Sequence, residues 1–145
     1  MSKSDAFEAS ILDLLFKNFA ITGIGDAGGL LPSAVAGNLF VTLHTADPGD
    51  AGTAITSETA YTGYARQPVA RGAGWTRTGN SISPAANVDF PECSAAPGTP
   101  NTHFGVASTV SGAGVLLYKG ALTPNITMAV GVIPRVKSTT TITED

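Results

Sequence analysis

The sequence is poor in the residues that carry most protein chemistry. It holds one cysteine, Cys93, and two histidines in 145 residues. A disulfide within the chain is impossible, and a cysteine-based zinc site is excluded. Cys93 reads as a small residue in a proline-bounded loop, with no neighbouring base to activate it as a nucleophile. Charged residues make up only 13% of the chain, roughly half the usual share. The net charge of −3 offers no basic field to attract nucleic acid. No uninterrupted apolar run approaches the ~18 residues of a membrane span. The opening "MSKSDAFEAS" lacks the pattern of a secretory signal, so synthesis in a cytoplasm is expected. What remains is a chain that is 43% hydrophobic and rich in glycine, proline and threonine. Such a chain can bury a core, and its composition suits strands and turns more than helix bundles.

One segment reads as helix. In "SDAFEASILDLLFKNFA", Asp5 is placed as an N-cap with Glu8 three residues later, the spacing of a capping box. Phe7, Ile11, Leu14 and Leu15 follow the i, i+4, i+7, i+8 rule and form an apolar stripe, widened by Leu12, Phe16 and Phe19. A stripe this wide predicts burial on more than one side, against a sheet, another subunit, or both. The helix is expected to end near Thr22–Gly23. Gly23, Gly25 and Gly28 then match the G-x-G-x-x-G spacing of dinucleotide-binding loops. That motif needs a strand before it and a helix after it. Here a helix precedes it and Pro32 interrupts the segment after it, so a flexible connector is the better reading. The expected organisation is a helical arm over residues 1–22, a Gly-rich connector over 23–37 and a β-domain over 38–145.

From Asn38 onward the pattern is β. "LFVTLHT" alternates, with Leu39, Val41 and Leu43 on one face and Phe40, Thr42 and His44 on the other. "YARQPVAR" is a strand whose Pro68 argues for an edge or a bulge. "GWTRTGNSIS" turns at Gly-Asn, "NVDFP" and "THFGVAS" are short strands, and "NITMAVGVIPRV" and "STTTIT" supply the last ones. "SGAGVLLYKGAL" is a continuous apolar run with the character of a central strand. Seven or eight short strands at this spacing predict a mainly β fold, an antiparallel β-sandwich or jelly-roll-like domain with one N-terminal amphipathic α-helix. Between Ser94 and Pro134 the only charged side chain is Lys119. Two explanations stand side by side: the segment is core, or it is covered by neighbouring subunits.

The candidate chemistry is thin. "VTLHTADPGDAG" brings His44 close to Asp47 and Asp50, but the spacing of an EF-hand calcium loop or an H-E-x-x-H site is absent. The same residues suit a turn: Pro48 pre-sets φ, Gly49 and Gly52 accept positive φ, and Asp47 caps. His103 lies in another strand and can meet His44 across a sheet. No G-x-S-x-G nucleophile is present. Catalytic residues, cofactors and metal ligands are therefore all expected to be absent. Arg66, Arg71 and Arg77 lie within twelve residues, near Tyr64 and Trp75. Arginine and aromatics serve glycan and nucleic-acid faces, and also protein interfaces. The interface reading is preferred, which makes Phe7, Ile11, Leu14, Leu15, Arg66, Arg71, Trp75 and Arg77 the interface candidates.

The order of segments "LHTADPGDAG", "GYARQPV", "NVDFP", "THFGV" and "LLYKGALT", spanning Leu39–Thr123 after a helix, resembles a family of small tailed-bacteriophage virion structural proteins. Homologues in genomes are often labelled phage tail fibre protein, and similar proteins act as capsid cement or decoration subunits. Val132 stands where the family places an acid. The resemblance implies a structural subunit without catalytic residues, made in the bacterial host cytoplasm and carried in the virion. The chain has neither the repeats nor the heptads of a fibre shaft, so the first expectation is a cement protein on the capsid surface. Its partners would be the major capsid protein and its own copies, as a dimer or trimer, with no direct nucleic acid binding and no membrane. The N-terminal helix is expected to make subunit or capsid contacts. The alternative is a tail-fibre or baseplate protein with a receptor- or glycan-binding face around Tyr61, Tyr64 and Trp75.

Overall fold

The alternating runs after the connector fold into nine antiparallel strands, in a computed structural model that describes residues 2–145. They are β1 (Asn38–His44), β2 (Gln67–Ala70), β3 (Trp75–Thr78), β4 (Ser81–Pro84), β5 (Val88–Asp89), β6 (Asn101–Ala107), β7 (Leu116–Ile126), β8 (Arg135–Val136) and β9 (Ile142–Thr143). One short helix, α1 (Asp5–Leu12), precedes them. The protein is therefore mainly β, in the β-sandwich class expected from the strand spacing. Strand order is β2-β1-β6-β7 in a four-stranded sheet, β3-β4-β9 in a three-stranded sheet and β5-β8 in a two-stranded ladder.

The chain divides into two compact units. The first gathers the N-terminal segment up to Asn38, Val69–Ala86 and Lys137–Asp145. Its centre is the contact between α1 and the β3-β4 hairpin. Leu12, Phe16, Trp75 and Ile82 are buried there, and the Phe16 and Trp75 rings meet edge to face with centroids 4.6 Å apart. The second unit comprises Leu39–Pro68 and Asn87–Val136. Val41, Leu43, Phe104 and Val106 bury one face of β1 and β6. Tyr64 ties that sheet to the β5-β8 ladder: its hydroxyl accepts from Leu43 N at 3.3 Å and its ring stacks on Phe90 at 6.1 Å. A second cluster packs Tyr61, Cys93 and Met128 together.

The helix differs from its expected form at both ends. Ser4 is the N-cap, its carbonyl receives the amides of Phe7 and Glu8, and no side chain caps the helix. Glu8 is buried and accepts a hydrogen bond from Asn80 Nδ2 at 3.2 Å, so the capping-box role does not exist. After Leu12 the helix widens into a π-helical turn, Asp13–Lys17, and stops at Asn18, whose φ of 61° is left-handed. It ends about one turn before the expected Thr22–Gly23 because the last carbonyls leave the helical ladder. Leu14 O and Leu15 O are taken by the Arg71 guanidinium, and Phe16 O by Gly72 N. The buried face is Glu8, Leu12 and Phe16.

The connector is hydrogen-bonded rather than free. Ile21 and Leu30 exchange both backbone hydrogen bonds at 2.9 Å, and Asn18 and Ser33 exchange two more. No strand leads into Gly23, Gly25 and Gly28, and no helix comes after them. In the four-stranded sheet, "VLLYKGAL" does not take the central place its apolar character implied. It forms β7, an edge strand. Its ladder to β6 shifts register twice, between Leu116 and Tyr118 and between Ala121 and Ile126, and its Thr123–Pro124 peptide is cis.

Candidate functional site

The histidine and carboxylates of "VTLHTADPGDAG" fold into two separate arrangements. His44 and His103 are direct partners in the β1-β6 ladder. His44 is fully buried, and its ring is held on both sides. Nδ1 donates to Thr56 O at 2.9 Å, which leaves Nε2 to accept from the Thr42 hydroxyl at 2.8 Å. That fixes the neutral tautomer. Burial pushes the His44 pKa down, against the opposing pull of the Thr56 carbonyl and Glu58. His103 Nδ1 meets Thr102 Oγ1 at 2.9 Å. A Cβ on Gly105 would lie 2.6 Å from both Leu116 Cδ1 and Thr42 Oγ1 and 3.0 Å from His44 Nε2. The site is a packed strand crossing with no room for a reactant.

Asp47 and Asp50 sit outside it, in the turn. Asp47 Oδ1 accepts from Gly49 N at 2.9 Å, and Gly49 has φ +72°. Gly52 is required for a different reason than the expected positive φ: a Cβ there would lie 2.3 Å from Pro48 O. Lys119 of β7 reaches both carboxylates, Asp47 at 2.9 Å and Asp50 at 3.4 Å. The Asp47 pKa is lowered, first by the Gly49 amide and then by Lys119, and the Lys119 pKa is raised by Asp47. Among the described residues, no group of three or more His, Cys, Asp or Glu side chains is arranged to hold a metal ion.

The three arginines do three different jobs. Arg66 is buried and forms a bidentate pair with Glu58, Nε to Oε1 at 2.7 Å and Nη2 to Oε2 at 2.8 Å. Its remaining donors bind Thr109 O at 2.9 Å and Gly112 O at 2.7 Å, clamping the loop before β7. Glu58 Oε1 also accepts from the Tyr64 hydroxyl at 2.8 Å, and burial with the Glu58 charge raises the Tyr64 pKa. Arg71 caps the end of the helix and reaches Ser33 Oγ and Ala36 O in the connector. A cation at that end also complements the helix dipole. Arg77 pairs with Asp13 at 2.7 Å on the surface. Trp75 is core.

Of the other interface candidates, Phe7 is exposed, and Ile11, Leu14 and Leu15 are half-buried. None of the four belongs to the buried set Glu8, Leu12 and Phe16. Phe19, which widened the stripe, is exposed, and sequence reasoning did not single out the exposed apolar residues further along the chain, Ile24, Leu30, Leu31 (72% exposed) and Val35 (81%). Their signal was present in the low polarity of the connector. Tyr61 is buried, with its hydroxyl donated to Pro91 O at 2.8 Å and its pKa pushed up to about 12 by burial. Tyr61, Tyr64 and Trp75 therefore form no open aromatic face. A cavity of about 290 Å³ opens beside the clamp, lined by Glu58, Tyr64, Ala65, Arg66, Val110, Ser111 and Gly112. The Arg66 donors that border it are already committed to Glu58, Thr109 and Gly112.

The family described as Podophage GP4 fiber I protein gp80 matches residues 2–143, almost the whole chain. The chain belongs to that family. Membership makes it a phage virion structural protein, as the order of its segments implied. No curated protein matches the chain. The gp80 family is described as a fibre protein.

Proposed function

We propose that this gp80-family chain is a non-enzymatic structural subunit of the phage tail fibre or its attachment, assembling with copies of itself. The observation that carries this reading is the correspondence of residues 2–143 to a family described as a fibre protein. The geometry agrees with a structural role. His44, Arg66, Arg71, Tyr61 and Tyr64 spend their polar atoms on their own chain. Large apolar side chains stand exposed in both units: Phe7, Phe19, Leu31 and Val35 in the first, and Val110, Val115 and Ile133 in the second. Exposed apolar groups in this number suit assembly surfaces.

The family description favours the tail over the cement role on the capsid surface, and with it contact to fibre or tail proteins over the major capsid protein. Separation of purified virions into tails and DNA-filled heads, each probed by quantitative mass spectrometry, tests the location. The chain is expected in the tail fraction at a few copies per particle. Hundreds of copies bound to heads would overturn the fibre reading and restore the cement one.

A further inference from the structure

The clamp around Arg66 borders the cavity of about 290 Å³ that Ala65 and residues 110–112 also line. All of its lining residues belong to the second unit. Its volume lies at the low end of the ~300–1,000 Å³ typical of small-molecule sites. What it can hold follows from which of its polar groups are already spent.

The charged donors are spent. All five N–H groups of Arg66 are taken, two by Glu58, one by Gly112 O, one by Thr109 O and one by Thr109 Oγ1. Tyr64 donates its hydroxyl to Glu58 and accepts from Leu43 N. Glu58 and Arg66 cancel in charge, and no other charged side chain lines the cavity. An anion would meet a carboxylate and no free guanidinium donor. A cation would meet a carboxylate that is already neutralised.

The capacity that remains is neutral and of both kinds. Glu58 Oε2 accepts only from Arg66 Nη2, so it retains room for another donor, and 15% of the Glu58 side chain is exposed. Among the described residues, the Ser111 hydroxyl and the amides of Val110, Ser111 and Gly112 have no partner. Ala65 and Val110, both exposed, add apolar surface. The loop that carries these groups is held in place. Arg66 grips Thr109 and Gly112, Ala54 N donates to Ala113 O at 2.8 Å, and Ser108 N donates to Val115 O at 3.0 Å. A site on a fixed loop loses little to ordering when it binds.

We infer that this cavity binds a neutral, polyhydroxylated ligand of the size of one sugar ring. Ring hydroxyls donate to Glu58 Oε2 and accept from the free amides of the 110–112 loop, while a C–H face of the ring covers Val110 and Ala65. A sugar ring suits the lining because it is compact, uncharged, both donor and acceptor, and apolar on its faces. The inference holds whether the protein sits on tail or head.

The test is a nuclear magnetic resonance titration of the isotope-labelled full chain with four probes: methyl α-glucoside, methyl α-galactoside, methyl α-mannoside and N-acetylglucosamine. At least one is expected to move the amide resonances of Ala65 and residues 110–112 saturably, with a dissociation constant of about 1–10 mM. Sodium sulfate should produce no saturable shift there. Ser111→Trp places a large side chain at an exposed position of the lining, and should abolish sugar binding with the urea midpoint unchanged. No saturable shift from any of the four sugars overturns the inference. So does saturation by sulfate in place of a sugar, a set of shifts lying away from residues 65 and 110–112, or undiminished binding by Ser111→Trp.

Discussion

At the scale of single residues, the strongest commitments are made by charged and polar groups that read as candidates for outside contact. Arg66 is the clearest. Both carboxylate oxygens of Glu58 and two loop carbonyls satisfy it, in a site where only 3% of its side chain is exposed. Removing one member of a buried pair strands the other, which costs about 3 kcal/mol or more. Arg66→Met is therefore expected to lower the urea midpoint by an amount corresponding to ~3 kcal/mol, and Glu58→Gln by less, since the amide keeps an acceptor. Equal stability of Arg66→Met and the natural chain would show that the clamp carries no weight.

His44 sets a pH dependence. Its folded pKa is depressed by burial, so the folded state holds the neutral ring while the unfolded chain binds a proton below about pH 6.5. The unfolded state then binds more protons, and stability falls as pH drops through that value toward the folded pKa. The melting temperature should be lower at about pH 5 than at about pH 7.5. His44→Gln, which keeps a donor and an acceptor, should flatten that drop. The lowered pKa values of Asp47 and Asp89 act only in a window below about pH 4, so the two effects separate. The turn capped by Asp47 and the His44–His103 pairing were legible in the sequence, but the burial of His44 was not. Spacing placed the three in one stretch, and only the strand crossing sent the histidine inward and the carboxylates out.

At the scale of elements, periodicity identified the helix but not which of its apolar residues meet the sheet. Phe7, Ile11, Leu14 and Leu15 and the set Leu12 and Phe16 are both apolar, and a pattern apolar on most sides cannot say which stripe meets the sheet. The Phe16–Trp75 contact decides it. Leu12→Ala is expected to cost about 3 kcal/mol and Ile11→Ala well under half of that, measured by denaturant unfolding. The reverse order would mean that the half-exposed face is the buried one in solution. The early end of the helix was equally hidden, because its cause is Arg71, more than fifty residues downstream. Strands fared better, since period-two alternation and turn residues are local. The two-residue ladder β5-β8 sets the lower limit of what such a signal can mark.

At the scale of the whole molecule, the chain enters the first unit three times, at its start, at Val69–Ala86 and at its end. Trp75, the sole tryptophan, lies in that unit's core and so reports on it alone. Removal of residues 1–22 takes Leu12 and Phe16 away from Trp75 and should unfold this unit, read as a red shift of tryptophan emission. Unshifted emission would show that the β3-β4-β9 sheet folds without the helix. Composition, turn residues and alternation sufficed for the fold class and most strand positions, and the order of the segments from Leu39 to Thr123 carried the family resemblance, because each is written in local patterns that hold wherever the strands end up. Tertiary structure alone decided which helix face is buried, which arginine clamps which loop, and that an apolar strand lies at an edge. Those outcomes depend on residues far apart in the chain arriving side by side, and no local pattern encodes that.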